Sequence, residues 1–262
     1  MPRGAILNSL IRVFMSTEIE IAQGDITTFA GRSDFVQGVF SHLPPTYERI
    51  NHVLTLGLDI VWRRRAARTA AAAGGNRWAD MCAGTGETAA YLTHLAPKET
   101  MIYAVDFSHP MLEEAKRKPE AGHITFILSD VKVLPFPDES LDLVTMSFAA
   151  RNINLSRDLL VHSIAEFHRV LKRGGRFVNL ETSQPPLASI RKLRDLYVKL
   201  LVEFTGSRIS GSRIAYAYLA NTIPRFYSAE DLADIIREAG FQKTTFQRLL
   251  FGVAAIHQGI KL

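Results

Sequence analysis

The glycine-rich stretch at residues 80–87, Asp-Met-Cys-Ala-Gly-Thr-Gly-Glu, constrains the fold of this chain more than any other feature. It follows a short apolar segment and precedes a run of helical character at 88–95, which predicts a turn from a strand into a helix. Glycine lets the backbone approach a ligand closely in such a turn, and the start of the helix offers free N–H groups. The stretch therefore favours a nucleotide-binding turn in an α/β fold.

A carboxylate at the end of the next predicted strand makes this interpretation more specific. Residues 101–106 form a second apolar run that ends in Asp106, about twenty residues after the turn. A carboxylate at the end of the second strand of a βαβ unit is placed to accept hydrogen bonds from both hydroxyls of a ribose. Together, the turn and Asp106 predict an adenosine-type nucleoside bound at the carboxyl ends of parallel strands.

The residues around the turn help to decide which nucleoside it binds. Gly84, Gly86 and Ala89 have the spacing of a dinucleotide site, so spacing alone does not exclude NAD. Asp80 and Glu87 flank the turn, however, and carboxylates repel a pyrophosphate but attract a cationic ligand. S-adenosylmethionine carries a sulfonium and an amino group, so the charges favour it as the cofactor.

Four motifs resemble the ubiquinone/menaquinone C-methyltransferase family. They are D-x-x-x-G-T-G at 80–86, Val-Asp at 105–106, Leu-Pro-Phe-Pro-Asp at 134–138 and Ser-Phe-Ala-Ala-Arg-Asn at 147–152. The likeness extends from about residue 39 to the C-terminus, and the 147–152 block with the ending at 252–262 makes it specific. The resemblance implies transfer of a methyl group from S-adenosylmethionine to a ring carbon of a polyprenyl hydroquinone, most simply demethylmenaquinol. A ubiquinone precursor, or another lipid or small phenol, remains an alternative acceptor.

The resemblance also implies roles for individual residues. Those expected to bind the cofactor are Asp80, Gly84, Thr85, Gly86, Asp106, Asp130, Val131 and Ser147. Arg151 is expected to stabilise a phenolate, while Asn152 and Tyr47 orient the acceptor ring. Arginine stays protonated in proteins, so Arg151 is not a ready base, and no general base is identified. Glu48 departs from the family pattern, which has Asp at this position.

The pattern of apolar residues predicts a doubly wound, mostly parallel seven-stranded Rossmann-like sheet. An N-terminal helical cap precedes the glycine turn at 28–65, and a helical lid is inserted at about 187–225. The remaining predicted strands and helices are strands at 124–128, 141–148, 176–181, 244–250 and 253–258, and helices at 156–172 and 228–239. Ser108 is expected to cap a further helix that begins near Pro110. Gly174-Gly175 is expected to end the helix that begins at Ser156.

Composition and length agree with one large α/β domain. The chain has 262 residues, 47% of them hydrophobic and 22% charged, which is ordinary for a globular protein. We assign 28–262 to a single domain and expect 1–27 to be a disordered extension. The one cysteine, Cys82, excludes an internal disulfide and is interpreted as a small buried packing residue. No cluster of His, Asp or Glu predicts a metal site, and the reaction needs no metal.

The predicted lid carries one apolar stripe. Its members are Leu193, Leu196, Tyr197, Leu200, Leu201 and Phe204, with Arg191, Lys192, Arg194 and Lys199 around them. Such a stripe usually packs in the core. Here it interrupts the connection between the fifth and sixth strands, at the edge of the sheet where the ligand binds, which favours a lid whose apolar side also contacts a hydrophobic substrate. The predicted protein is therefore cytoplasmic, with peripheral contact to a membrane; a homodimer is one assembly that we leave open. The arginines at 63–68 are interpreted as a solvated helix face, or otherwise as a membrane or phosphate patch.

Two other classes of protein compete with this interpretation. The net charge of +5 would suit a nucleic-acid methyltransferase, but Ser-Phe-Ala-Ala stands at 147–150 in place of a motif for a flipped base amine. We therefore expect no nucleic-acid partner. A non-catalytic binding module would keep Asp106 and have no need of Arg151 and Asn152, whose presence argues against it.

Overall fold

A computed structural model describes residues 48, 51–52, 55–205 and 222–262 of the chain. Within these ranges the strands form a single sheet. The strands are β1 (Arg77–Met81), β2 (Met101–Asp106), β3 (Ile124–Leu128), β4 (Leu141–Ser147), β5 (Leu171–Thr182), β6 (Lys243–Leu249) and β7 (Ala254–Ile260). The strand order is β3-β2-β1-β4-β5-β7-β6; β7 runs antiparallel to both of its neighbours, and the other pairs are parallel. The predicted mostly parallel seven-stranded sheet is confirmed.

Helices cover both faces of this sheet in the described part of the chain. They are α1 (Leu58–Ala71), α2 (Glu87–Thr93), α3 (His109–Ala115), α4 (Ala150–Ile153), α5 (Arg157–Val170), α6 (Ala188–Thr205) and α7 (Ala229–Glu238). Successive residues of a strand point to opposite faces, and the core follows this rule. Trp78 packs with α1 and α2 residues on one face, while Ala79 and Met81 pack with α5 and α7 residues on the other. Two hydrophobic layers therefore enclose a doubly wound sheet, as predicted.

The start of β5 differs from the prediction. The helix expected at 156–172 ends at Val170, and the strand expected at 176 begins at Leu171. Gly174 and Gly175 do not end the helix; they lie inside the strand, where pairing with β4 shifts register between Leu141 and Leu143. Gly174 has a positive φ of 79°, which glycine adopts without strain, so the pair forms an irregularity in the strand.

The predicted cap and lid are described only in part. Of the cap, Glu48, Asn51 and His52 are helical and α1 completes it, whereas Tyr47 lies outside the described residues. Of the lid, α6 and the short 3-10 turn Ile223–Arg225 are described, and 206–221 lie outside. The expected extension at 1–27 also falls outside the described residues.

Arg194 holds α6 against the end of β5. Its side chain is buried, and Nη1 donates to the carbonyl of Ser183 (3.1 Å) while Nη2 donates to Oε1 of Gln184 (2.7 Å). The apolar side chains of Leu193, Leu196 and Leu200 remain 64%, 52% and 56% exposed. Among the described helices, none combines the length and the apolar character that crossing a membrane requires.

Candidate active site

Asp106 organises the glycine turn that follows β1. The backbone N–H of Gly84 donates to one carboxylate oxygen of Asp106 (2.8 Å), and the N–H of Ser108 donates to the other (2.8 Å). Burial raises the pKa of Asp106, although hydrogen bonds from Ser108, Gly84 and Phe107 oppose the rise. Ser108 occupies the cap position of α3, but its hydroxyl makes no capping bond, and its oxygen is buried without a partner among the described residues. The carboxylate is thus already fixed beside the turn.

Gly86 occupies a position in the turn that favours glycine. Its φ is +78°, and a Cβ placed there would lie 2.9 Å from the Cβ of Ala115. Both the backbone angle and the close contact with α3 exclude a larger side chain. The turn is therefore packed tightly beneath the site.

An open crevice lies at this edge of the sheet, and its empty volume, including the space open to solvent, is about 980 Å³. It is the crevice outside the carboxyl ends of the strands, where ligands bind in open α/β folds. Seven of the predicted site residues line it: Gly84, Thr85, Asp106, Asp130, Val131, Ser147 and Asn152. A nucleoside fits such a partly apolar cavity with a few polar groups.

Asp130 and Cys82 lie in the cavity wall in different environments. Asp130 is exposed, and its carboxylate accepts a hydrogen bond from the N–H of Lys132 (3.0 Å) and pairs with the ammonium of Lys132 (3.1 Å). Cys82 is half-buried rather than fully buried, and desolvation raises the pKa of its thiol. A raised thiol pKa opposes thiolate formation, which agrees with a packing role.

Asp80 lies behind the turn and is absent from the cavity wall. It is buried, and the hydroxyl of Thr145 donates to its carboxylate (2.7 Å). Burial raises the pKa of Asp80 to about 7, despite the opposing effects of this hydrogen bond and of Arg63. The predicted direct contact of Asp80 with the cofactor stays a prediction.

Arg151 also lies away from the cavity wall. Its guanidinium is buried, donates to the hydroxyl of Thr182 (3.3 Å) and lies 3.8 Å from the carboxylate of Glu181. The backbone N–H of Arg151 donates to the same carboxylate (3.3 Å). This part of the chain forms a buried ion pair, so contact of Arg151 with an acceptor stays a prediction.

Asn152 is the member of the 147–152 block that lines the cavity. Its Oδ1 is buried and has no hydrogen-bond partner among the described residues. A buried polar atom without a partner is costly, and a bound molecule with a hydroxyl group would satisfy it. The position suits the predicted orienting role.

Arg63 is a site residue that the sequence analysis missed. It lines the cavity, is buried, and lies 3.3 Å from the carboxylate of Glu87. Its Nη1 donates to the hydroxyl of Thr88 (3.2 Å), which in turn donates to Ser147 (3.1 Å). The expected solvated face is confirmed for Arg64, Arg65 and Arg68 but is wrong for Arg63. The spacing could have shown this, because Arg63 shares a helical stripe with Ala66, Ala67 and Ala70, which are buried.

The structure also brings together Glu48, His52 and Glu87, whose ligand atoms lie within 4.8 Å of one another. No such cluster was expected from the sequence. Each member already has a partner in the protein: Lys118 pairs with Glu48 (2.8 Å), Asp59 lies 2.8 Å from His52, and Arg63 pairs with Glu87. Two cations in this group disfavour a metal ion, because they neutralise the carboxylates that would hold it.

The fold agrees with that of known methyltransferase structures. A SAM-dependent methyltransferase from Thermotoga maritima, described as a possible histamine N-methyltransferase, superposes with a TM-score of 0.54. The two sequences are 19% identical, and the match covers 84% of this chain and 100% of the other. The structure therefore has the fold of a SAM-dependent methyltransferase, with the Asp106 carboxylate beside its glycine turn.

Sequence comparison then defines the family. The profile of the ubiE/COQ5 methyltransferase family matches residues 28–261, and the chain belongs to this family. The demethylmenaquinone methyltransferase of Thermus thermophilus is 38% identical over 223 residues, which cover 84% of this chain and 99% of that protein. The ubiquinone/menaquinone biosynthesis C-methyltransferase of Dinoroseobacter shibae is 34% identical over 235 residues, covering 88% and 92%.

Proposed function

We propose that this enzyme methylates a ring carbon of a reduced polyprenyl quinone, with demethylmenaquinol as its substrate. The similarity to the demethylmenaquinone methyltransferase of Thermus thermophilus, over nearly the whole of that protein, is the observation that carries the proposal. A ubiquinone precursor is the second candidate, because the relative from Dinoroseobacter shibae is named for both quinones. The two acceptors share a hydroxylated ring and a prenyl tail.

The proposed reaction needs an electron-rich ring carbon close to a methyl donor. When bound, S-adenosylmethionine supplies an electrophilic methyl group on a sulfonium. A phenolate beside the ring carbon would make that carbon nucleophilic towards this methyl. The C–C bond would form as the S–C bond breaks with its electron pair left on sulfur, and the ring proton would pass to water, since no general base is identified. Holding both reactants in one site provides at most ~7–11 kcal/mol of the barrier reduction. A dry cavity favours the step, because opposite charges on the two reactants disappear.

The chain contributes binding and orientation to this chemistry. Asp106 holds the ribose, and the unsatisfied carboxamide of Asn152 binds an acceptor hydroxyl. Phe148 lines the same cavity and offers an apolar surface to the ring. Arg151 stabilises the phenolate in this proposal if its pairing with Glu181 loosens when the acceptor binds.

The prenyl tail explains the location that we propose. Removing it from a bilayer costs about 0.8 kcal/mol for each methylene, so the enzyme works at the membrane surface from the cytoplasmic side. The exposed leucines of α6 and the neighbouring Arg191 and Lys192 are the proposed contact.

The decisive experiment is incubation with labelled S-adenosylmethionine and a panel of demethylated quinols, with products identified by mass and fragmentation. We expect methyl transfer to a ring carbon of demethylmenaquinol and none to the oxidised quinone, whose ring is electron-poor. Transfer to oxygen, or equal reaction with the oxidised quinone, would contradict the proposal. Faster turnover of a demethylated ubiquinone precursor would favour the second candidate.

A further inference from the structure

The connection between β6 and β7 carries two large apolar side chains on the protein surface. Leu250 is 46% exposed and Phe251 is 71% exposed. Both residues have a positive φ, 41° and 55° respectively, which lies in the left-handed region that side chains of this size rarely adopt. An exposed ring on a strained backbone does not stabilise the folded chain, so the two side chains are candidates for contact with something outside it.

The backbone beneath these two side chains is held firmly. The N–H of Val253 donates to the carbonyl of Leu250 (3.1 Å), and the carbonyl of Val253 accepts from the N–H of Ser183 (2.9 Å). Gly252 lies against the chain that follows β5, because a Cβ added to it would be 2.8 Å from Cδ of Pro186. The connection is therefore fixed to the segment that leads into α6.

The sheet topology places this connection at the same edge as the crevice. Ala254, the first residue of β7, pairs with Thr182 at the end of β5 and with Leu249 at the end of β6. The segments that follow these two strand ends therefore lie side by side at the carboxyl edge of the sheet. Leu187, in the segment after β5, is 59% exposed and extends the apolar surface.

Cations border this apolar surface. The apolar edge patch, as we name it, consists of residues without charge at 185–190 and 249–253. Arg191 and Lys192 follow directly in α6 and are exposed, and Arg248, which pairs with Glu230, precedes the patch on the other side. An apolar surface bordered by cations suits an anionic bilayer, because apolar groups enter the acyl boundary while cations meet the headgroup phosphates.

We propose that the apolar edge patch docks on an anionic lipid bilayer, with Leu250 and Phe251 as the side chains that enter the acyl region. Because α6 also begins at this edge, docking places the crevice at the bilayer surface, where a prenyl tail can stay in lipid while its ring enters the cavity. The purpose of docking rests on the proposed quinol substrate. The patch itself belongs to another element than the exposed leucines of α6, and neither Leu250 nor Phe251 lines the cavity.

Phe251→Trp places a fluorescent reporter in the patch. The two natural tryptophans, Trp62 and Trp78, are buried, so a change in emission reports on position 251. Vesicles of phosphatidylcholine with phosphatidylglycerol should shift the emission to the blue, and lipids brominated on their acyl chains should quench it. Vesicle-bound protein whose emission neither shifts nor is quenched would overturn the proposal, because position 251 would then lie outside the bilayer.

The double variant Leu250→Asn with Phe251→Gly removes both side chains and introduces residues that tolerate a positive φ. Its binding to the same vesicles, measured by flotation, should weaken by about 10- to 100-fold. Its melting temperature should not fall, because backbone strain is relieved, and turnover of a quinol analogue without a prenyl tail should be unchanged. Leu262→Asn is the matched control: Leu262 is 52% exposed beyond the other end of β7, and its loss should leave flotation unaltered.

Two further results would overturn the proposal. Flotation of the double variant equal to that of the unaltered protein, with a lower melting temperature, would make the two residues structural. Self-association of the unaltered protein without vesicles, lost in the double variant, would assign the patch to a second copy of the chain. Normal vesicle binding through the patch without methylation of any quinol would refute the proposed acceptor and leave the docking surface supported.

Discussion

Asp106 is the residue on which cofactor affinity should depend most. If its carboxylate accepts both ribose hydroxyls, each charge-assisted bond contributes about 1.5–3 kcal/mol, so Asp106→Ala should weaken S-adenosylmethionine by about a hundredfold or more. Calorimetry measures this loss, with Asp234→Ala, an exposed aspartate paired with Arg237, as control. Because burial raises the pKa of Asp106, affinity should start to fall at a higher pH than for an ordinary aspartate as the solution is acidified. Unchanged affinity in Asp106→Ala would refute the assignment.

Arg151 requires a test that separates folding from catalysis. Removing its charge leaves the buried Glu181 carboxylate without a counter-charge, so Arg151→Gln should destabilise the fold by about 3–5 kcal/mol. The double variant Arg151→Gln with Glu181→Gln removes both charges and should recover most of this stability in denaturant unfolding. If Arg151 stabilises the phenolate, turnover of the double variant should stay ~100–1000-fold low with cofactor affinity unaltered. Recovery of turnover along with stability would show that the arginine is structural.

At the scale of single elements, α6 should carry the contact with the membrane. Leu196 and Leu200 share its exposed face, so changing both to Gln should reduce binding to anionic liposomes and turnover of a tailed quinol. Flotation measures the bound fraction, which should also fall with salt because Arg191 and Lys192 flank the face. Leu95→Gln, which changes an exposed leucine after α2, is the control. Flotation equal to that of the unaltered protein would refute this role for α6.

The strands and helices were largely predictable because particular residue types mark where they begin and end. β1, β2 and β3 are short, mostly apolar runs, and a glycine or an aspartate lies at the end of each or within three residues after it. The beginning of β5 was not predictable, since Gly174-Gly175 can end a helix or form an irregular strand, and only pairing with β4 decides between them. The burial of Arg63 was harder to predict, because a charged side chain is usually exposed. Its burial here depends on an ion pair with Glu87, 24 positions away in the sequence. The pairing of Arg151 with Glu181 joins α4 to the end of β5, a contact that the sequence does not indicate.

For the molecule as a whole, Asp80 should make stability depend on pH. Its pKa is about 7 in the folded protein against 3.8 for the free group, so the folded state binds more protons between these values and stability falls as pH rises. The full effect, above pH 7, is on the order of 4 kcal/mol. Asp80→Asn cannot titrate, so the unfolding free energy of this variant should decline less between pH 4 and pH 8. Denaturant melts at both ends of this range measure the difference, and parallel declines would contradict the buried-carboxylate account.

Glu87 links the wall of the cavity to the segment that contains His52. It faces the cofactor cavity with Arg63, and its carboxylate also lies 3.5 Å from His52, which belongs to the segment expected to cover the acceptor. A change in the charge around Glu87 on cofactor binding would therefore alter the electrostatic interaction between Glu87 and His52 in that segment. Thermodynamic linkage then requires reciprocity: if bound cofactor raises the affinity for quinol by some factor, bound quinol raises the affinity for cofactor by the same factor.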